Sequence, residues 1–276
     1  MPFASLAGNE RIKKLLRRAV REGRVSQGLL LAGPKGVGKH QFALALAQAV
    51  NCENPKEGDA CGHCPQCIKI AAGEHVDVQT ISPDGQFIKI EQTRKLSEAA
   101  QFRPYEGRRR VFILDEAHRL NLNAANSILK TLEEPPATSL IILITSKPYS
   151  LLETIRSRCR MLSFAPLADS ELETFLAANY RRPAEETRLL ARLARGSVGR
   201  ALEIDLGQYR EKRRAMIEII EAVSIRRDTV KLLNAAEYMS RKLEREEFEN
   251  HLNALLVLLM DVFHLKVGRG AGALTN

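Results

Sequence analysis

Tryptophan is absent from this sequence, and aromatic residues of all kinds make up only 5% of its 276 residues. Proteins that grip single-stranded nucleic acid usually stack bases on several aromatic side chains, so a base-stacking platform is not expected here. Long uncharged apolar runs are also missing, which predicts that no segment spans a membrane. The amino-terminal residues contain no apolar core of signal-peptide length, and we therefore expect a cytoplasmic protein.

The overall composition is that of an ordinary folded protein. Hydrophobic residues make up 45% and charged residues 27%, which excludes the low-hydrophobicity signature of disorder. The length predicts two or three domains. The net charge of +9 favours contact with a polyanion, through its phosphate groups if it is a nucleic acid, but a solvated basic surface explains the charge equally well.

The apolar patterns divide the chain into an α/β part and a helical part. Short apolar runs at 28–32, 76–81, 111–114 and 140–145 predict strands, and the patterns between them predict helices. Strands that alternate with helices indicate a parallel sheet. Beyond Phe164 the leucine and alanine spacing predicts three short helices up to Ile204, and longer charged helices follow Gly207. We therefore predict domains at 1–165, 166–206 and 207–276. In the last helix, 245–267, one apolar stripe is formed by Phe248, Leu252, Leu255, Leu256, Leu259 and Phe263.

A glycine-rich loop follows the first predicted strand and opens a helix. Its sequence, Gly33-Pro-Lys-Gly-Val-Gly-Lys39, matches the phosphate-loop pattern G-x-x-x-x-G-K. Glycines let backbone N–H groups turn toward a phosphate, and the following helix adds the positive end of its dipole. Lys39 would contact the β and γ phosphates as a compact positive charge. The pattern predicts a nucleotide site that includes Gly33, Lys35, Gly36, Gly38, Lys39 and His40.

His40 occupies the position where this pattern normally has Ser or Thr, whose hydroxyl binds Mg²⁺. Imidazole nitrogen is a poor ligand for Mg²⁺, which prefers hard oxygen ligands. Two interpretations stay open. Either the loop binds ATP or ADP with Mg²⁺ and hydrolyses ATP poorly, or it no longer holds a nucleotide.

Two acids follow a later apolar strand. In Val111-Phe-Ile-Leu-Asp115-Glu116, the strand would deliver Asp115 to the metal and Glu116 to an attacking water. Two acids at a strand end also occur in proteins without a nucleotide site, but here they accompany a phosphate loop at the expected distance. Thr145 ends the next predicted strand, where it either senses the γ phosphate or caps the strand.

Four cysteines lie within sixteen residues, in the pattern C-x8-C-x2-C-x2-C. Four thiolates at close spacing make a tetrahedral Zn²⁺ site, and no position then remains for a catalytic water. The pattern therefore predicts structural Zn²⁺ held by Cys52, Cys61, Cys64 and Cys67. Cys159 lies far away in the sequence and is interpreted as a buried thiol.

Together these features resemble the bacterial clamp-loader AAA+ subunits, over most of the chain. The cysteine module directly follows the phosphate-loop helix, as in that family. The run Ala124–Pro136 is similar to a family signature at the subunit interface, and Ile155-Arg-Ser-Arg-Cys159 looks like the family's Ser-Arg-Cys motif. The resemblance implies an AAA+ P-loop domain with a parallel sheet and a zinc module inserted at 52–67. It also implies a small helical lid domain and a helical collar domain, which we expect to be incomplete because the segment after Gly207 is short.

The resemblance also implies roles for two arginines. Arg158 would be an arginine finger, a residue that reaches the ATP bound by a neighbouring subunit. A guanidinium can bridge γ-phosphate oxygens and stabilise the charge that develops on transfer. Arg200, in Gly196-Ser197-Val-Gly199-Arg200, resembles the sensor arginine of the lid domain. For Arg156 and Arg160 a surface salt bridge is the simpler interpretation.

The function implied is that of a component of the DNA polymerase III holoenzyme, a DNA-directed DNA polymerase. Its partners would be gamma/tau and delta clamp-loader subunits, with the sliding clamp and primed DNA contacted through the complex. A phosphate loop that carries His40, in a chain that keeps an intact Ser-Arg-Cys motif, favours a subunit that completes the nucleotide site of its neighbour. Two alternatives stay open: a catalytic gamma/tau-type ATPase that uses Lys39, Asp115 and Glu116, and a zinc-bearing DNA-binding protein. The second rests on the basic helix at 11–24 and on Arg103, Arg108, Arg109 and Arg110.

Overall fold

A computed structural model describes residues 1–224, 229–230, 233–234, 236–237 and 245–268. The chain divides into two compact units. The first comprises Met1–Leu172 and Arg195–Gly199, and the second comprises Glu173–Ala194 and Arg200–Asn276. The predicted boundary between lid and collar at residue 207 stays a prediction.

The first unit alternates strands and helices as the sequence predicts. The strands are β1 (Gly28–Ala32), β2 (Val78–Ile81), β3 (Arg110–Leu114), β4 (Ser139–Thr145) and β5 (Arg160–Ser163). Helix α1 (Glu10–Arg21) precedes the first strand. The helices between the strands are α2 (Lys39–Asn51), α3 (Pro65–Ala72), α4 (Ile90–Ala100), α5 (Leu122–Glu133) and α6 (Glu153–Arg156). Helix α7 (Asp169–Tyr180) begins in this unit and continues into the second.

The five strands form one sheet in the order β2-β3-β4-β1-β5, and every neighbouring pair is parallel. All residues of the central strands β1 and β4 are buried, as expected for strands with helices on both faces. Alternate residues of these strands face two separate hydrophobic cores. Helices α1, α2 and α3 pack on one core, and α4 and α5 pack on the other. The sheet is therefore the middle layer of three.

The predicted α/β class and parallel sheet are confirmed, with two additions that the sequence patterns missed. Strand β5 has the sequence Arg-Met-Leu-Ser, which shows too little apolar alternation to be recognised, and its pairing with β1 defines it. Helix α3 lies inside the cysteine segment and begins at Pro65, a residue whose fixed φ suits the first helical position. The predicted strand at 76–81 begins two residues later, at Val78.

The second unit is helical in its described part. It contains α8 (Ala184–Ala194), α9 (Val198–Glu203, which begins in the first unit), α10 (Leu206–Ser224) and α11 (Arg245–Lys266). Helices α10 and α11 pack on each other. The apolar stripe predicted on α11 is largely exposed, since Leu252, Leu256, Leu259 and Phe263 are 44–62% exposed, whereas Ala254 and Leu258 are buried. The last nine residues, 268–276, show no helical periodicity in their sequence and, apart from Gly268, lie outside the described residues.

None of the helices in the described part of the chain combines the length and the apolar character needed to cross a bilayer.

Candidate functional site

The phosphate loop joins the carboxyl end of β1 to the amino end of α2. Gly38 precedes the helix with φ 89°, and Gly36 has φ 78°, so both use backbone conformations that favour glycine. In the sheet order β2-β3-β4-β1-β5, the connection after β1 runs to β2 on one side of β1, whereas the connection after β4 runs to β5 on the other side. Ligands of open α/β sheets bind at the carboxyl ends of strands at such a switch point. A cavity of about 530 Å³ adjoins the loop. It is lined by Ala32, Gly33, Pro34, Lys35, Ser146, Lys147, Pro148, Tyr149, Met161, Ser163 and Phe164.

Lys39 folds back onto its own loop. Its ammonium group donates hydrogen bonds to the carbonyl oxygens of Gly33 (2.7 Å) and Pro34 (2.6 Å). The side chain is 6% exposed, and burial lowers its pKa, while the negative charge of Asp115 acts in the opposite direction. Two of the three N–H donors of this ammonium are therefore used inside the loop, which leaves one donor for a phosphate oxygen.

A second segment, residues 197–199, donates hydrogen bonds to carbonyl groups of the phosphate loop. The Ser197 hydroxyl donates to the carbonyl oxygen of Lys35 (3.1 Å), and the Gly199 amide donates to that of Gly36 (2.9 Å). Four consecutive loop carbonyls, from residue 33 to residue 36, therefore accept hydrogen bonds from within the protein. The sequence carries no indication of the contact between Ser197 and Lys35, which joins residues 162 positions apart.

We expect Gly199→Ala to loosen the phosphate loop. A Cβ at this position would lie 3.0 Å from the Cα of Gly36, a backbone atom that cannot move aside cheaply. Overpacking of this kind costs about 1–3 kcal/mol. Limited trypsin digestion should cut faster after Lys35, which is exposed in the loop. Gly207→Ala is the matched control, because Gly207 is also the second residue of a helix and its Cβ would meet only the Asp205 carboxylate. Equal cleavage in the two variants would show that the contact does not hold the loop.

His40 is half-buried in the first turn of α2, directly after Lys39. The structure thus places an imidazole where the phosphate-loop pattern has a hydroxyl, and both interpretations of this substitution stay predictions.

The predicted acids lie after β3, at the same sheet edge as the loop. The Asp115 carboxylate accepts a hydrogen bond from the Glu116 amide (2.8 Å), and Glu116 has a left-handed backbone with φ 48°. The Glu116 carboxylate pairs with Arg119 at 3.1 Å. The charge of Asp115 acts on Lys39, so the structure brings together these parts of the predicted nucleotide site.

Thr145 is fully buried at the carboxyl end of β4. Its hydroxyl accepts a hydrogen bond from the Lys147 amide (3.0 Å) and lies 3.3 Å from the His118 ring. Burial lowers the pKa of His118, so this ring is neutral near pH 7. These contacts favour the strand-capping interpretation, and a sensor role for Thr145 stays a prediction.

The four cysteines of the predicted zinc module lie together. Their sulfur atoms are all within 4.8 Å of one another, and those of Cys52 and Cys64 are 4.0 Å apart. Zn–S bonds of about 2.3 Å in a tetrahedron place sulfurs roughly 3.8 Å apart, so the cluster could bind zinc after a small contraction. The Cys61 and Cys64 amides each donate to a sulfur at 3.3 Å. Burial raises the pKa of Cys52 and Cys67, and a divalent cation would offset that cost for the thiolates.

The cysteine module is built into the first unit rather than attached to it. Asp59 is buried, and its carboxylate accepts hydrogen bonds from the Phe3 (2.8 Å) and Ala4 (3.1 Å) amides. Phe3 in turn packs against Phe42 of α2. A Cβ on Gly58 would lie 1.9 Å from the carbonyl oxygen of Arg17, so only glycine fits where the module contacts α1.

Arg158 lies between α6 and β5. Its Nε donates to Glu133 Oε1 (2.8 Å), and Nη2 contacts the same oxygen. Its Nη1 donates to the Thr154 carbonyl (2.8 Å) and the Ser157 hydroxyl (3.3 Å). Cys159, the next residue, is a buried thiol as predicted, and burial raises its pKa to about 12. The partner Glu133 was not foreseen as such, although it lies in the predicted interface signature.

Two of the arginines proposed for DNA contact, Arg109 and Arg110, are instead partly buried within the first unit. The Arg110 side chain is 14% exposed and pairs with the buried Asp77 carboxylate at 3.1 Å. Arg109 is half-buried, and burial lowers its pKa. The zinc-bearing DNA-binding alternative therefore loses two of the four arginines at 103–110 on which it rests. Arg200 lies exposed in α9, on the part of that helix assigned to the second unit, and its sensor role stays a prediction.

The sheet order, the phosphate loop and the acids after β3 define the class of protein, an α/β AAA+ P-loop fold. A mutant of Thermotoga maritima RuvB has the same fold, with a TM-score of 0.50 at 18% identity over 96% of this chain and 79% of that one. The family model described as "DNA polymerase III, delta subunit" matches residues 8–168. DNA polymerase III subunit delta' of Bacillus subtilis (strain 168) is 34% identical over 261 residues, 94% of this chain and 78% of the relative.

The chain therefore belongs to the delta prime family of DNA polymerase III clamp-loader subunits. It is also similar to DNA polymerase III subunit tau of Escherichia coli (strain K12), at 36% identity over 207 residues. That match covers 73% of this chain but 32% of tau. The expected resemblance to clamp-loader subunits is confirmed.

Proposed function

We propose that this chain acts within a clamp-loader complex by supplying Arg158 in trans to a nucleotide bound by a neighbouring gamma/tau subunit. Through that contact and its assembly with a delta subunit, it helps to load the sliding clamp onto primed DNA. Tau, which the chain resembles, is also a DNA polymerase III subunit, and this supports assembly with subunits of that kind.

The position of Arg158 in the sheet carries this proposal. The arginine precedes β5, and a Cβ on Gly28, the first residue of β1, would lie 3.2 Å from the Arg158 carbonyl oxygen. The phosphate loop follows the other end of β1, Ala32. Four residue steps along a parallel strand span about 13 Å. Arg158 therefore lies at the amino end of β1, and the chain's own phosphate loop lies at the opposite end of that strand. This separation favours contact between Arg158 and a phosphate that is bound by another subunit.

Arg158→Ala tests the proposal in a reconstituted complex. We expect clamp-stimulated and DNA-stimulated ATPase activity to fall several-fold while assembly stays intact, because one nucleotide loses the charge that stabilises its transition state. Arg160→Ala is the matched control, since Arg160 is an exposed arginine two residues away. ATPase activity that is equal in the two variants and in the wild type would refute the trans role.

Hydrolysis in the chain's own site is the second candidate, favoured by the similarity to tau and by the approach of Lys39 to Asp115. If the isolated chain hydrolyses ATP and Glu116→Gln abolishes that hydrolysis, this second candidate is correct. We favour the trans role because His40 offers Mg²⁺ no oxygen ligand. If nucleotide binds, the groups that would hold it are the loop amides of 35–39, the Lys39 ammonium and the Asp115 carboxylate.

We further propose that the four-cysteine cluster holds structural Zn²⁺. The sulfur spacing supports Zn²⁺ binding, and the cluster lies in the hydrophobic core on which α1, α2 and α3 pack. The role would be structural, because four sulfur ligands leave no open position on the metal for a catalytic water.

A further inference from the structure

We infer that Glu133 competes with phosphate for Arg158, so that the free subunit keeps its arginine finger occupied. This inference rests on the proposed function and concerns the regulation of the same site. Two hydrogen-bond donors of the guanidinium, Nε and Nη2, both contact Glu133 Oε1. Guanidinium groups bind phosphate through paired N–H donors of this kind. A phosphate oxygen and the Glu133 carboxylate therefore cannot use the same donors of Arg158 at once.

The Nη1 donors of Arg158 are also engaged. Nη1 donates to the Thr154 carbonyl and to the Ser157 hydroxyl. Four of the five N–H donors of the guanidinium are then used inside the chain. A γ-phosphate that takes two N–H donors must displace at least one of these partners. Glu133 is the only partner among them that carries a negative charge.

The location of Glu133 supports this role. It is the last residue of α5, and Glu134 follows it at the helix cap. Negative charges at the carboxyl end of a helix are unfavourable, because that end already carries partial negative charge. Arg158, 25 residues away in the sequence, offsets this cost for Glu133, and no ion pair within the described part of the chain does so for Glu134. The side chains of Arg158 and Glu133 are 32% and 47% exposed, and partly exposed ion pairs contribute little free energy, so a competing phosphate can displace Glu133.

The first arm of the experiment uses the isolated chain. Phenylglyoxal modification of Arg158, followed by mass spectrometry, compares the wild type, Glu133→Gln and Glu134→Gln. We expect Glu133→Gln to raise the modification rate about two- to five-fold, the range for a partly exposed ion pair. Glu134→Gln removes an equal charge one residue away and should leave the rate unchanged. Equal rates in all three proteins would overturn the inference.

The second arm uses the reconstituted complex and the ATP concentration at half-maximal ATPase rate. Glu133→Gln should lower that concentration by about the same two- to five-fold, and Glu133→Asp should fall between it and the wild type. In an Arg158→Ala background the effect of Glu133→Gln should vanish.

The outcomes separate the two proposals. Unchanged ATPase activity in Arg158→Ala would overturn the proposed function and this inference with it. A lower activity in Arg158→Ala, with the half-maximal ATP concentration of Glu133→Gln indistinguishable from that of the wild type, would overturn this inference alone. A raised half-maximal concentration in Glu133→Gln would also overturn it, because Glu133 would then help to aim the finger instead of competing for it.

Discussion

Cys67→Ser is expected to lose stoichiometric zinc and to lower the melting temperature by more than about 10 °C. Cys67 is fully buried in the hydrophobic core on which α1, α2 and α3 pack, so its substitution also disturbs the packing of that core. A serine hydroxyl stays protonated and cannot replace a thiolate ligand. Loss of a structural zinc site removes several kcal/mol, and each kcal/mol shifts the melting temperature by roughly 2–4 °C in a protein of this size.

The stability loss should extend to the amino-terminal segment. The Gln48 side chain donates to the Cys67 carbonyl (2.6 Å), and Asp59 holds Phe3 and Ala4. Collapse of the module would free these residues and expose the Phe3 contact with Phe42. Native-state hydrogen exchange of residues 3–6 is therefore expected to accelerate in Cys67→Ser.

Cys159→Ser is the matched control, because Cys159 is a buried thiol outside the cluster. It should retain zinc and lose only about 1 kcal/mol. Metal analysis and thermal unfolding, with and without a chelator, check both variants. Equal zinc content in the two variants, together with no effect of the chelator on the wild type, would contradict a structural metal site.

Asp77→Asn is expected to destabilise the protein by about 3–5 kcal/mol, the cost of breaking a buried ion pair. The Asp77 carboxylate is 2% exposed and accepts hydrogen bonds from the amides of Tyr105, Glu106 and Gly107 at 2.8–2.9 Å. It also pairs with Arg110. An asparagine side chain has one acceptor oxygen, so its amide group would face backbone N–H donors, and Arg110 would keep an unpaired buried charge.

The pH dependence follows from the direction of the Asp77 pKa shift. Burial by itself would raise this pKa, but the three amides and Arg110 outweigh burial and lower it below the usual 3.8. A lowered pKa gives stability that is fully present well above 3.8 and is lost as the pH falls through the folded-state value. The difference between wild type and Asp77→Asn should therefore be constant from pH 5 to 7 and shrink below about pH 4.

Asp84→Asn provides the control for Asp77→Asn. Asp84 pairs with Lys89 at 2.6 Å, but both side chains are more than half exposed. Exposed pairs contribute about 0–1 kcal/mol, so urea unfolding at pH 7 should barely change. If the two variants lost the same stability, the buried network around Asp77 would not be the anchor of the 105–110 segment.

Much of the site could be predicted from the sequence because its signals are local. The phosphate loop, the acids after β3 and the cysteine cluster are each formed by residues close together in the chain, so their spacing alone indicates the chemistry. The parallel sheet was equally accessible, since alternating strands and helices permit few other arrangements. Strand β5 was missed because its four residues carry little apolar pattern and only its pairing with β1 defines it.

By itself, the sequence determined the α/β class, the phosphate loop with His40, the cysteine module and the family. Tertiary structure alone decided which polar groups meet. Asp77 binds an amide run some 30 residues away, Arg158 meets Glu133, and Ser197 reaches the Lys35 carbonyl across 162 positions. The physical reason is that a hydrogen bond depends on distance and direction in space, and local chain patterns carry no record of partners brought together only by folding.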